Sequence, residues 1–273
     1  MPSLTPAAIR DLLDAHGCSP SRALGQNFLA DPNLADKIVR LADVAPGDPV
    51  LEIGPGLGSL TVALVAAGAE VVALELDRHL VPVLAGVVGD SARVVVGDAL
   101  VVDLDELLDD RSWTCVSNLP YNVATPLVVR ILEEFPRVTR LLVMVQKEVG
   151  ERLVAGPGTK AYGAVSVKVA YHATARLVGT VGPTVFVPPP KVASALVRLD
   201  RHAAPPVDVP SPDALFGLVR AGFAQRRKTL RRSLAPVLGD RTEAALAAAG
   251  IPSSARAEVL DLDDWARLCR EAA

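Results

Sequence analysis

Little in this chain of 273 residues points to a membrane, a metal or an oxidising compartment. No apolar run approaches the roughly 18 residues that a membrane-spanning helix needs. Three cysteines are present, Cys18, Cys115 and Cys269. They are scattered singly, which leaves neither a disulfide framework nor a paired metal motif. The four histidines, His16, His79, His172 and His202, have no metal-like spacing either. The N-terminal stretch MPSLTPAAIRDLLDAHG lacks the basic-then-apolar pattern of a secretory leader and is expected to form a short amphipathic helix. Two nucleotide signatures are also missing. LEIGPGLGSL has G-x-G-x-G spacing, not the G-x-G-x-x-G of dinucleotide binders, and no Lys-Ser/Thr pair follows to make a phosphate-binding loop. The expectation is a metal-free cytoplasmic protein without membrane contact.

What is present suits a large core. Half of the residues are hydrophobic and 22% are charged. The length allows one large domain and a smaller one. The net charge of -3 conceals an asymmetry: residues 1–120 hold 7 Lys/Arg against 17 Asp/Glu, and residues 121–273 hold 21 against 14. A basic half of this kind suits a polyanionic partner.

From Pro49 onward apolar strands and helices alternate. PVLEI, EVVALEL, ARVVVGDA, WTCVSN and VTRLLVMVQ read as strands, and SLTVALVAAG, RHLVPVLAGVVG and TPLVVRILEEF as helices. Continuous apolar strands between helices imply a parallel sheet covered on both faces. YGAVSVKVAYHA fits either a helix or a strand, and ASALVRL reads as a final strand. HAAPPVDVPSP, His202 to Pro212, reads as a Pro-rich linker. Beyond it the pattern is helical, with Ser211 and Asp261 as N-caps and Pro212 at a first helical position. The predicted architecture is α/β: a doubly wound Rossmann-like domain over residues 1–201, a linker over 202–212 and a small all-helical domain over 213–273.

Gly54, Gly56 and Gly58 close the first of these strands, where a residue without Cβ lets the backbone turn and approach a ligand. Glu75 ends the second strand, about where an acid accepts hydrogen bonds from ribose hydroxyls, and Asp98 ends the third, placed for an adenine amine. Leu76 and Ala99 follow those acids and join the cofactor set. An adenosine-containing ligand without a pyrophosphate fits best, and S-adenosylmethionine leads. The fourth strand then runs into SNLPYNVATP, where an Asn, a Pro and a Tyr crowd one turn. Turns favour Asn and Pro for backbone reasons but rarely need a large aromatic.

NLPY, Asn118 to Tyr121, resembles the N/D-P-P-Y/F motif of amino-methylating enzymes in the form used by ribosomal RNA adenine N6 dimethyltransferases. The resemblance continues in order through LGQNFL, EIGPGLGSLT, QKEVGERL, YGAVSV, FVPPPKVASALVRL and FAQRRKTLRRSL, from Leu24 to Leu234. It is strongest to the bacterial KsgA/RsmA family, which dimethylates two adjacent adenosines near the 3′ end of 16S rRNA. Membership implies S-adenosylmethionine as cofactor, 16S rRNA in the pre-30S subunit as partner, and a monomer. It also implies that Asn118, through its side-chain carbonyl, and Leu119, through its backbone carbonyl, hold the amine hydrogens of the target adenine. Pro120 would present the preceding carbonyl rigidly. Tyr121 and Phe186 would stack on opposite faces of the extruded base. Gln26, Asn27, Leu29 and also Asn118 would lie at the cofactor, with Phe28 helping to close the site.

RAGFAQRRKTLRRSL carries Arg220, Arg226, Arg227, Lys228, Arg231 and Arg232 without an acid. Read as one helix, it sets Arg227 against Arg231 and Lys228 against Arg232 at i,i+4, an arrangement of like charges that makes best sense beside phosphates. Lys147 and Lys191 are expected to extend this RNA track, with Arg152 and Lys160 as further members. Competing readings are a 23S rRNA adenine methyltransferase conferring antibiotic resistance, an assembly or transcription factor that keeps the fold as a binding module, and a nucleotide-dependent oxidoreductase. The last leaves both NLPY and the basic segment unexplained.

Overall fold

Short apolar runs between glycine-bounded turns have room for a strand but not for a helix of several turns, and most of the strands begin and end where the sequence places them. The computed structural model describes residues 4–273. They fall into two units: one runs to Gly150 and resumes at Ala175–Arg201, and the other comprises Glu151–Thr174 and His202–Ala273.

The first unit is built on nine strands: β1 Phe28–Leu29, β2 Pro49–Ile53, β3 Glu70–Glu75, β4 Ala92–Val96, β5 Trp113–Asn118, β6 Val138–Gln146, β7 Ala173–Val181, β8 Phe186–Val187 and β9 Ser194–Arg201. Seven of them form one sheet in the order β4-β3-β2-β5-β6-β9-β7, while β1 and β8 pair separately. β4 through β6 are parallel neighbours. β9 runs antiparallel to β6, and β8 antiparallel to β1. The sheet is therefore mixed where a parallel one was expected. ATARLVGTV was not anticipated as a strand; β7 is an edge strand, largely open to solvent, and carries no continuous apolar run. Helices α1 Pro6–Ala15, α2 Pro32–Leu41, α3 Ser59–Ala66, α4 Val81–Val88, α5 Leu104–Leu107 and α6 Ala124–Glu134 belong to this unit. Thr5 and Asp31 cap α1 and α2 by accepting from backbone amides inside the first turn.

β2 leads outward to β3 and β4, and β5 then returns to the other side of β2. The strand order reverses there, so a crevice opens between the carboxyl ends of β2 and β5.

The chain leaves the sheet through α7 Lys147–Leu153 and continues into α8 Ala164–His172, α9 Pro212–Ala224, α10 Leu230–Leu238, α11 Thr242–Ala248 and α12 Leu262–Glu271. Ser211 and Asp261 cap α9 and α12, with Pro212 at the first position of α9. Two boundaries read from the sequence move. Tyr162, Val167 and Tyr171 are buried in the helical unit's own core, so the stretch from Glu151 through α8 belongs with it and not with the sheet. The alternation in YGAVSVKVAYHA is thus a helix whose apolar face is covered by other helices. The segment 202–212 is no free linker either, because Val207 and Val209 pack on that same core. The core closes on Trp265, whose ring lies so near Gly222 that a Cβ there would come within 2.5 Å of it.

Candidate active site

The glycine loop follows directly from β2. Gly54 and Gly56 adopt φ of +68° and +59°, a region that side-chain-bearing residues rarely enter. A Cβ on Gly56 would sit 2.8 Å from the Phe28 ring, and one on Gly54 would press on Pro120 at 3.3 Å. Gly58 does something else. It does not line the crevice; a Cβ there would meet Leu84 at 2.8 Å, so this glycine serves the packing of α3 on α4 and not the ligand. The spacing G-x-G-x-G cannot separate these two demands.

Glu75 holds the loop in place. Its Oε2 accepts from the Gly56 amide at 2.9 Å and its Oε1 from the Asp77 amide at 2.8 Å. Burial pushes its carboxyl up, and the amides of Asp77 and Gly56 oppose that shift. The acceptor positions that these amides leave open on the carboxylate suit a ligand that offers ribose hydroxyls. Asp98 also lines the cavity, with Oδ1 accepting from the Leu100 amide at 2.8 Å. Leu76, 49% exposed, and Ala99 complete this wall. Beneath the loop lies Glu52, an acid that the sequence reading passed over. It lines the cavity yet is buried, and Thr61 Oγ1 donates to its Oε2 at 2.7 Å. Burial raises its carboxyl to about 8, against the Thr61 hydrogen bond and with help from the nearby Glu75 charge. The signal was available: a Glu inside the otherwise apolar PVLEI has to be accounted for.

Residues 21–29 form a strap across the cavity. Gln26 fastens one side, donating from Nε2 to Asp77 Oδ2 at 2.8 Å and accepting from the Ser21 amide at 2.7 Å. Ser59 Oγ donates to the Leu29 carbonyl at 2.5 Å, and Asn122 Nδ2 to the Ala23 carbonyl at 3.2 Å. Gln26, Asn27, Phe28 and Leu29 all line the cavity, as the sequence placed them.

Asn118, Leu119, Pro120 and Tyr121 line the same cavity at the end of β5. Asn118 Nδ2 donates to the Asn27 carbonyl of the strap at 3.1 Å. That leaves its side-chain oxygen, Oδ1, buried and without a hydrogen-bond partner among the described residues. A buried amide oxygen without a donor is costly, and native structures rarely keep one unless something else supplies the donor. Leu119 is fully buried, and its amide donates to the Met144 carbonyl at 3.1 Å, which ties the motif to β6. The Tyr121 hydroxyl lies 2.5 Å from Ser194 Oγ on β9, and burial raises the phenol's pKa against that hydrogen bond. Cys115, on the same strand, is fully buried with its thiol pushed up to about 12, and so carries no nucleophilic role.

Phe186 departs from expectation. It is 2% exposed, belongs to the apolar core and does not line the cavity. The pairing of β8 with β1, Phe186 opposite Leu29, places it in that core. A Phe ahead of Pro-Pro-Pro looks exposed in sequence, but the short ribbon supplies a partner that local pattern does not reveal.

The basic segment is also rearranged. α9 ends before Gln225 and α10 begins after Thr229, so Arg226, Arg227 and Lys228 stand in a turn, closed by the Lys228 amide donating to the Gln225 carbonyl at 2.8 Å. The single helix with i,i+4 basic pairs does not form; breaking it separates like charges that would otherwise face each other. Arg226 is tied down, donating to the Lys160 carbonyl at 3.1 Å and lying 3.7 Å from Glu258. Arg231 pairs with Glu243 at 2.5 Å. Arg220, Arg227, Lys228 and Arg232 are exposed and form no ion pair among the described residues. The first amides of α10 are already used: Leu230 and Arg231 donate to the carbonyls of Ala255 and Ser253. Any polyanion here would meet side chains, not the end of a helix. Lys147 and Lys191 are exposed on the first unit, and the other basic residues belong to the second.

The residues along the cavity fit S-adenosylmethionine: a glycine-lined turn, a carboxylate placed for a ribose, a second acid for an adenine amine, and an unfilled acceptor on Asn118 beside them. Comparison with known proteins agrees. The profile of the family described as ribosomal RNA adenine dimethylase matches residues 19–273. Ribosomal RNA small subunit methyltransferase A of Leifsonia xyli is 48% identical over 271 residues, covering 97% of both chains. The protein of that name from Thermobifida fusca is 47% identical over 274 residues, covering 97% of this chain and 94% of the relative. Among solved structures, a dimethyladenosine transferase from Plasmodium falciparum superposes with a TM-score of 0.73 at 26% identity, over 88% of this chain and 95% of the other. The 23S rRNA methyltransferase ErmE gives 0.69 at 27% identity, over 90% and 99%. With a profile match over nearly its whole length and relatives at almost half identity, the chain belongs to the ribosomal RNA adenine dimethylase family.

Proposed function

We propose that this protein dimethylates N6 of two adjacent adenosines near the 3′ end of 16S rRNA, acting on the pre-30S subunit as a cytoplasmic monomer. The activity class, rRNA adenine dimethylation from S-adenosylmethionine, is that of its family. The small-subunit target is supported by its nearly half-identical relatives, which are known as ribosomal RNA small subunit methyltransferases A. No helix among the described residues is long and apolar enough to cross a membrane.

One observation carries the reading of the site: Asn118 Oδ1 is buried in the cavity wall without a donor among the described residues. Bound S-adenosylmethionine supplies an electrophilic methyl group on a sulfonium. An adenine amine is a poor nucleophile because its nitrogen lone pair is delocalised into the ring. Asn118 Oδ1 and the Leu119 carbonyl accept from the two amine hydrogens, favouring rotation and pyramidalisation that return the lone pair to nitrogen. The same oxygens stabilise the positive charge that develops there. Tyr121 offers a ring face to the extruded base. No side chain has to act as a strong base, because the N–H becomes acidic as the new N–C bond forms. Catalysis rests on holding the reactants in line.

The test is methyl transfer from labelled S-adenosylmethionine to small subunits lacking their dimethyladenosines, with large subunits in parallel. Label recovered as N6,N6-dimethyladenosine near the 16S 3′ end is the expected result. Label confined to large subunits would overturn the target in favour of the ErmE-like reading, and tight subunit binding without label would leave an assembly factor.

A further inference from the structure

Tyr121 reaches across the fold to a residue that no part of this mechanism uses. Its hydroxyl and Ser194 Oγ are 2.5 Å apart, although the two are 73 positions apart in sequence. Ser194 is fully buried at the first position of β9, in register with Gln146 of β6. The residue before it is pinned as well, since the Lys147 amide donates to the Ala193 carbonyl at 2.9 Å. Ser194 is therefore a fixed point on the sheet, while Tyr121 stands on the turn that follows β5.

A tyrosine ring on a turn is free in two torsions. A hydrogen bond at its far end restrains the swing about Cα–Cβ, because the tip moves furthest when that torsion changes. Rotation about Cβ–Cγ leaves the hydroxyl oxygen in place and is checked instead by the in-plane preference of the phenolic O–H. It also satisfies a hydroxyl that burial has taken from water. We propose that Ser194 is a positioning residue for methyl transfer: its hydroxyl fixes where the Tyr121 ring lies before the adenine arrives, so that the base stacks on a ring already in place. The proposal rests on the reading of Asn118–Tyr121 as the base-gripping motif and deepens it. Pre-set geometry of this kind acts on the RNA step and leaves cofactor binding alone. It also matters twice per adenosine, since the monomethylated base has to be held again for the second transfer. A ring that wanders lets that intermediate escape.

The experiment uses the full-length protein with small subunits lacking dimethyladenosines, and compares Ser194→Ala, Tyr121→Phe, the double variant and Asn118→Ala. Ser194→Ala is expected to lower kcat/KM for subunits about tenfold and to raise the share of N6-monomethyladenosine released, with S-adenosylmethionine affinity changed by less than about twofold. Tyr121→Phe removes the same hydrogen bond from the other end and is expected to match it, with the double variant no worse than either single one. A wild-type product distribution in both single variants would overturn the proposal, as would losses that multiply in the double variant. Should Ser194→Ala fail to fold, Tyr121→Phe alone decides by the same two readouts. Asn118→Ala separates the levels. If it is inactive while Ser194→Ala behaves as wild type, only the positioning role falls; if it keeps wild-type activity, the reading of the motif falls and takes Ser194 with it.

Discussion

Around the cavity of the first unit nearly every polar side chain is engaged: Glu75 by two amides, Glu52 by Thr61, Gln26 by Asp77 and Ser21, Tyr121 by Ser194. Around the turn at residues 225–229 of the second unit, Arg227 and Lys228 stand in solvent without an ion pair among the described residues, while the Arg226 side chain is tied to its surroundings. The difference fits the roles proposed for the two surfaces, methyl transfer at the cavity and RNA contact at the turn. Making an aromatic amine nucleophilic needs a few groups held in fixed places, and buried groups stay fixed only if every hydrogen bond but the working one is satisfied. Holding an RNA backbone needs charge that is still available to phosphates, and flexible solvated cations serve better than ones already paired. One unmet acceptor, Asn118 Oδ1, marks the first surface; unmet cations mark the second.

Removing that acceptor should break the comparison from the cavity side. Asn118→Ala is expected to lower kcat by about 10²–10³-fold, the scale seen when one preorganised polar group is lost from a reacting centre. RNA affinity should stay within about twofold, because the cations of the second unit are untouched. Single-turnover methyl transfer alongside a binding titration checks both. Parallel collapse of rate and affinity would mean that Asn118 supports the fold and not the chemistry.

The converse change sharpens it. Replacing Arg227 and Lys228 together by Ala should weaken RNA binding about tenfold at physiological salt and reduce the slope of log K against log salt by about 2, one for each lost phosphate contact. With saturating subunits, kcat should be close to wild type. Binding isotherms at several salt concentrations give the slope, and an unchanged slope would remove this turn from the RNA surface.

The two surfaces were not equally legible in the sequence. The succession of strands β2 to β6 and most of the cavity could be read because each demand there leaves a residue type that few other roles require: Gly54 and Gly56 at positive φ, Glu75 and Asp98 at strand ends, Asn118 through Tyr121 where a helix would normally begin. What stayed hidden depends on long-range partners. Ser194 is an ordinary serine until β9 is placed beside β6, and Phe186 looks exposed until β8 finds β1. Gly58 shares its spacing and its positive φ with two cavity-lining glycines but packs against Leu84. In the second unit composition gave the charge but not its shape. The run from Arg220 to Leu234 has the period of one helix, and the break at Gln225–Thr229 is fixed by how α10 docks on the carbonyls of Ser253 and Ala255.

Glu52 tests the cost of the cavity's fully enclosed style. Its carboxyl is fully buried and raised to about 8, from an ordinary value of 4.5. Between those two pH values the native state holds a proton that the unfolded chain has released. The unfolded state then binds fewer protons, so stability falls as pH rises through this window and levels off above about 8; below about 4.5 both states are protonated and the group contributes nothing. The slope from this one residue is at most about 1.4 kcal/mol per pH unit. Glu52→Gln keeps the shape and a partner for Thr61 but has no proton to lose, and denaturant unfolding between pH 6 and pH 8 is expected to show a flatter profile than wild type, with the variant the more stable protein at the upper end. Equal slopes in Glu52→Gln and wild type would mean that Glu52 is ionised in the folded protein throughout, with a charge partner that its present surroundings do not supply.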